Sequence, residues 1–137
     1  FGSPYFNQRV MRDVVLSDQY PEHVATIREA YRQKRDAMLA AAAEHLSSIP
    51  GARWHRPCGG LYVWLELPEG LDSGPGGKLW LSAIDEGMFY VPGQYCFPSG
   101  DTGVRYNYIR LSYGVQSPER IDKGIAALAR AIHRTLG

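Results

Sequence analysis

The sequence predicts an α/β fold, an α+β sandwich in which a small, mostly antiparallel sheet carries helices on one face. Three observations point there. Two segments, Leu61–Leu67 and Tyr106–Tyr113, alternate side chains with the two-residue period of a strand. Longer segments over 21–49 and 117–136 space their apolar residues at the helical period. Gly and Pro clusters, such as Pro50-Gly51, Pro68–Gly77 and Pro92-Gly93, separate these pieces. A length of 137 residues fits one compact domain.

Each element follows in order. Val10, Met11, Val14, Val15 and Leu16 fit a helix of about three turns. With no partner element before it, this stretch reads as the tail of something longer, so residues 1–20 are set apart from a domain over 21–137. The domain opens on a long helix. Pro21 suits its first turn, and Val24, Ile27, Tyr31, Met38, Ala42, Leu46 and Ile49 form its stripe. Its other positions are charged, including Arg28, Arg32, Lys34 and Arg35. Such a helix either bridges two bodies or lies as a plain surface helix.

Ala52–Arg56 fits an edge strand beside Leu61–Leu67. In that strand Leu61, Val63, Leu65 and Leu67 share one face, and Tyr62, Trp64 and Glu66 the other. Lys78–Gly87 reads as a short helix with Trp80, Ala83 and Ile84 inward and Gly87 as its stop. Met88–Val91 reads as a short strand, and 94–104 as a loop. In the last strand Ile109, Leu111 and Tyr113 share one face, with Tyr106, Tyr108, Arg110 and Ser112 on the other. Ser117-Pro118-Glu119 is a helix start, with Ser as cap, Pro in the first position and an acid facing the helix dipole. Ile121, Ile125, Leu128, Ile132 and Leu136 make the final stripe.

Composition excludes several classes. Hydrophobic residues at 45% supply a core without disulfides or metals. A net charge of +1 offers no electrostatic basis for binding nucleic acid or a membrane surface. No apolar run approaches the roughly 20 residues of a membrane span. Cys58 and Cys96 form no CxxC motif, and no His/Cys set has metal-ligand spacing, so free thiols and no metal are expected. These features fit a cytoplasmic protein. The chain opens on Phe1 rather than Met, which points to a fragment boundary.

The non-aliphatic sheet face is unusual because it holds Tyr62, Trp64, Tyr106 and Tyr108 around Arg110. Such a face is either a contact surface or cleft wall, or aromatic pairing that stiffens the sheet. Arg110, in mid-strand between Ile109 and Leu111, is not placed as a free surface charge. Its planar fork either takes a carboxylate through two parallel hydrogen bonds or pairs with an acid such as Glu66.

Four motifs run nearly end to end in fixed order: His23–Arg28 through Tyr31–Met38, Pro57–Trp64, Gly87–Gly93, and Tyr108–Tyr113 with Ser117-Pro118-Glu119. Together they resemble the C-terminal small domain of class I/II, fold-type I aminotransferases that depend on pyridoxal 5'-phosphate. The resemblance is strongest to the branch containing 2-aminoadipate and aromatic aminotransferases. It implies that Arg110 binds the α-carboxylate of an amino-acid or 2-oxo-acid substrate. It implies that Gly60 and Tyr95 line the substrate side of the cleft. Ordinary turn chemistry explains the glycines equally well. Cys58 stands where many relatives have an acid.

The family's cofactor lysine belongs to a large domain, and Lys34, Lys78 and Lys123 do not match its motif. Residues 1–20 would then lead out of that large domain. Catalytic and cofactor-binding residues are expected upstream of Phe1, and this fragment is expected to be inactive alone. The resemblance implies a homodimeric parent. It leaves open a second class, a transcription regulator that fuses a winged helix to an aminotransferase-like body, in which Arg110 would sense an effector.

Overall fold

A computed structural model of the chain describes residues 2–100 and 102–137. Phe1, where the sequence places a boundary, and Asp101, in the loop expected over 94–104, lie outside the described residues. Among the described residues there are four α-helices and four short strands. Helix α1 spans Tyr5–Val15 and α2 spans Gln19–His45, followed by β1 (Arg53–Trp54) and β2 (Tyr62–Glu66). Then come α3 (Lys78–Asp85), β3 (Val91–Pro92), a 3-10 turn over Gly93–Cys96, β4 (Tyr108–Ser112) and α4 (Pro118–Leu136). The strands form one antiparallel sheet in the order β1-β2-β4-β3.

The aliphatic face of the sheet is the floor of the core. Val63 and Leu65 of β2 lie opposite Leu111 and Ile109 of β4, and all four are buried. Met38, Ala41 and Ala42 cover them from α2 and Leu46 from its C-cap, Leu79 and Ala83 from α3, and Ile125, Leu128 and Ile132 from α4. The Ser117 hydroxyl accepts from the Arg120 N–H at the start of α4, the expected cap with Pro118 behind it. Across the helices, Glu86 accepts from Arg130 Nε at 2.7 Å and from Arg134. On the far side of the core, the Lys34 ammonium donates to the Gly114 carbonyl at 3.1 Å and ties α2 to the loop after β4. Lys34 is therefore half-buried.

Several local expectations give way for identifiable reasons. Helix α2 begins at Gln19 and ends at His45, so Ile49 is buried from the turn beyond it. Ile27, expected inward, is exposed because the first half of α2 runs past the edge of the core. Strand β3 is confined to Val91–Pro92. Met88 N–H instead bonds to Ala83 in the helix stop, and Pro92 has no N–H to extend the ladder. Helix α3 buries Leu79, Ser82 and Ala83, while Trp80 is half-buried and Ile84 is exposed. Leu136 is half exposed, because α4 outruns the core after Ile132. Strand β4 starts at Tyr108, so Tyr106 precedes the ladder and takes no place in it. Cys58 and Cys96 are free thiols, and both are exposed.

Candidate functional site

Strand pairing decides what surrounds Arg110. Antiparallel partners project to the same face, and Trp64 of β2 and Val91 of β3 are the partners of Arg110. Tyr62, opposite Ser112, is diagonal to it on the same face. The Trp64 ring leans the other way and stacks on Tyr108, with centroids 5.4 Å apart at 20°. Phe97, from the loop after the 3-10 turn, lies at 6.2 Å on Trp64. Arg105 donates to the Tyr108 hydroxyl at 3.1 Å. The face thus divides into an aromatic stack around Trp64 and a separate pair, Arg110 with Tyr62. The stack is the cross-strand aromatic pairing of one sequence reading, and Arg110 with Tyr62 stands outside it.

The Arg110 guanidinium carbon lies 4.3 Å from the centroid of the Tyr62 ring, within the range of a cation–π contact. No carboxylate pairs with it among the described residues. Glu66, the acid expected to compete for it, lies opposite Tyr108, one row further along the ladder. The structural salt bridge is therefore not formed. Arg110 Nε is buried and is the one buried side-chain nitrogen or oxygen without a hydrogen-bond partner among the described residues. Its terminal nitrogens meet no protein acceptor among the described residues. A planar donor fork that reaches an open face without an acid suits a ligand carboxylate.

Gly60 and Tyr95 lie at opposite ends of β4. Gly60 sits on the turn before β2, at the Ser112 end of β4, with φ +82°, a conformation that favours glycine. Its carbonyl accepts from the Tyr113 hydroxyl at 2.8 Å, and burial pushes the Tyr113 phenol up, so it remains a donor. Tyr95 is exposed on the 3-10 turn, at the Tyr108 end. Neither hydrogen-bonds to Arg110. A cleft of about 360 Å³ beside Gly60 is lined by Arg28, Arg32 and Arg35 of α2 and by Tyr113, and does not include Arg110.

Sequence reasoning missed Phe97 and Arg105, and it read Gly93 as turn chemistry or a close approach to a ligand, whereas the backbone it approaches is that of Tyr108. A Cβ on Gly93 would come within 2.5 Å of Tyr108 Cβ, so the chain leaving β3 packs this closely on β4 only because this residue has no side chain. The Pro92-Gly93 pair is the signal that was available for it. Phe97 and Arg105 come from loops with no periodicity to read.

The residues do not fit a pyridoxal group. Lys34 is committed to Gly114, and Lys78 and Lys123 are exposed at the start of α3 and on α4, away from the Arg110 face. Among the described residues one grouping of metal-type donors, Glu44, His45 and Asp122, lies among the helices. There His45 Nε2 and Asp122 Oδ1, 3.1 Å apart, link α2 to α4. Among the described residues no helix is long and apolar enough to cross a membrane.

Comparisons with known proteins place this geometry. No family model matches the chain. It is 37% identical to aromatic-amino-acid aminotransferase 1 of Thermococcus litoralis over 93% of its length and 28% of that protein. It is 33% identical to the uncharacterized HTH-type transcriptional regulator YdfD of Bacillus subtilis, over 96% of the chain and 25% of the regulator. Among solved structures, the α-aminoadipate aminotransferase LysN of Thermus thermophilus superposes with a TM-score of 0.80 at 33% identity. That match covers 97% of this chain and 32% of LysN. The chain spans about three tenths of the length of the curated relatives it matches.

Proposed function

We propose, for a chain that belongs to the fold-type I, pyridoxal-phosphate-dependent aminotransferase family, that it supplies the substrate-carboxylate clamp of a longer aminotransferase. The observation that carries this reading is the open guanidinium fork of Arg110, unpaired on the sheet face. In the parent protein the terminal nitrogens of Arg110 would hold the α-carboxylate of an amino acid or a 2-oxo acid. Two charge-assisted hydrogen bonds fix both position and orientation, which sets the direction of the reacting Cα bond. Gly60 and Tyr95, at the two ends of β4, would line the cleft on either side.

The cofactor would be held by residues outside this chain, since Lys34, Lys78 and Lys123 do not fit it. When bound, pyridoxal phosphate supplies the electron sink for amino-group transfer. Residues 1–20 would lead out of the domain that holds it. The 137-residue chain would be inactive alone, and the parent would work as a homodimer.

The test is the amino-group half-reaction of the full-length protein, followed by cofactor absorbance. Arg110→Ala is expected to lower the second-order rate with amino acids by about 10²- to 10³-fold, the loss of two hydrogen bonds to a charged group, with the cofactor still bound. Unchanged kinetics would overturn the assignment.

The similarity to YdfD favours a second reading over the same residues. In a regulator, Arg110 would read the carboxylate of an effector and no turnover would follow. A full-length protein that binds a carboxylate through Arg110 yet transfers no amino group from a panel of amino acids would select that reading.

A further inference from the structure

We infer that Tyr62 is a positioning residue for Arg110, holding the guanidinium in the plane from which it meets a carboxylate. This rests on the clamp reading above and adds to it a residue and a mechanism.

The geometry gives Arg110 few other ways to be fixed. An arginine side chain has several free torsions, and a salt bridge or a carbonyl acceptor normally restrains them. Neither is present among the described residues. Nε is buried without an acceptor, no acid pairs with the guanidinium, and the cross-strand partner Trp64 has turned its ring to Tyr108. What remains is the Tyr62 ring, 4.3 Å from the guanidinium carbon. Guanidinium groups stack on aromatic faces, and the attraction grows as water is excluded. A ring on one flat side leaves the donor edges free, so the contact restrains the fork without competing for its hydrogen bonds. A carboxylate neighbour would do the reverse, because it would occupy the edge a ligand needs. The ring is itself anchored: β2 pairs with β4 along its whole length, which fixes the diagonal between Tyr62 and Arg110.

The role belongs to the ring face, not the hydroxyl, for which no hydrogen bond is seen among the described residues. Tyr62 is 46% exposed, so replacing it does not open the core. That makes the inference testable in the full-length protein loaded with its cofactor. The first readout is the dissociation constant of propionate, an unreactive carboxylate, measured from the cofactor absorbance. The second separates the saturating rate of the amino-acid half-reaction from the concentration that half-saturates it.

Tyr62→Leu and Tyr62→Thr, which both lack the ring, are expected to weaken propionate by about fivefold, equivalent to about 1 kcal/mol. Half-saturation should rise by a similar factor while the saturating rate stays within about twofold. Tyr62→Phe should behave as the wild type. Wild-type binding in both ringless variants, with Arg110→Ala still losing propionate, would overturn the inference and leave the clamp reading standing. Loss in Tyr62→Phe equal to that in Tyr62→Leu would overturn it too, by assigning the effect to the hydroxyl. Unchanged binding in Arg110→Ala would remove the clamp reading itself, and this inference with it.

Discussion

Two regions of the chain use the same residue types in opposite ways. The body, from Met38 onward, buries its apolar stripes: Val63, Leu65, Ile109, Leu111, Leu128 and Ile132 are all at or near zero exposure. The arm, helix α1 with the first half of α2, buries nothing. Tyr5 and Phe6 are about three quarters exposed, and Val10, Met11, Val14 and Val15 lie open along α1. Both regions show a helical apolar stripe, so amphipathicity alone does not say what a helix packs against. The stripe of α4 meets a sheet and closes a core. The stripe of α1 meets almost nothing in this chain, as expected if its counterpart belongs to the rest of a longer protein.

The comparison breaks most readily in the body. Leu128 is fully buried at the centre of α4, facing the sheet. Leu128→Ala removes its packing and leaves a cavity, for an expected loss of about 2–5 kcal/mol, read from urea unfolding of the chain. A loss under about 1 kcal/mol would mean that the body is loosely packed and the contrast with the arm overstated.

Gly93→Ala is next. Its Cβ would meet Tyr108 Cβ, carbonyl carbon and oxygen within 2.8 Å, so backbone must move. The expected cost is about 1–3 kcal/mol, as for other overpacked sites. The same change should loosen the Trp64–Tyr108 stack, which near-ultraviolet circular dichroism would record as a reduced aromatic signal. An unaltered signal and stability would show that β3 gives way without disturbing β4.

A smaller effect is expected where α3 meets α4. Hydrogen bonding from Arg130, helped by the charges of Arg130 and Arg134, holds the Glu86 carboxyl below its ordinary 4.5. A depressed carboxyl contributes stability that is complete above pH 4.5 and lost as pH falls through its folded value. The bridge is solvent-facing, so its contribution is modest and screened by salt. Glu86→Gln should flatten the decline of unfolding stability below pH 4.5 and shift stability slightly at pH 7, with the difference shrinking in high salt. An unchanged acid limb would assign that decline to other carboxylates, Glu119 among them, which the Ser117 hydroxyl also holds low.

How much of this was legible follows from what each signal requires. The β2 and β4 faces were legible because a two-residue period leaves only two choices of phase and the aliphatic set selects one. The ends were not. Tyr106 continues the alternation of β4, but its partner strand ends at Glu66, opposite Tyr108. The eight residues of α3 are too few to fix a helical phase, so Ile84 was placed inward and Leu79 overlooked. At the candidate site the residue that matters, Arg110, was legible from its type and position. Its surroundings were not, because choosing between Glu66 and an open fork needs the register of two strands and the tilt of the Trp64 ring.

The smallest expected effect sharpens the comparison most. Met11→Ser in α1 removes apolar surface from a residue that is 57% exposed and buries nothing around it. In the 137-residue chain, urea unfolding should change by no more than about 0.5 kcal/mol, the range of surface substitutions. In the full-length protein proposed here, the same substitution should cost more than 1 kcal/mol, because there the stripe of α1 would have a counterpart to lose. The difference between the two losses is the informative quantity, since it cancels the change in helix propensity common to both chains. Equal, small losses in both would mean that α1 stays open even in the longer protein, and that its apolar stripe has some other counterpart than the domain that holds the cofactor.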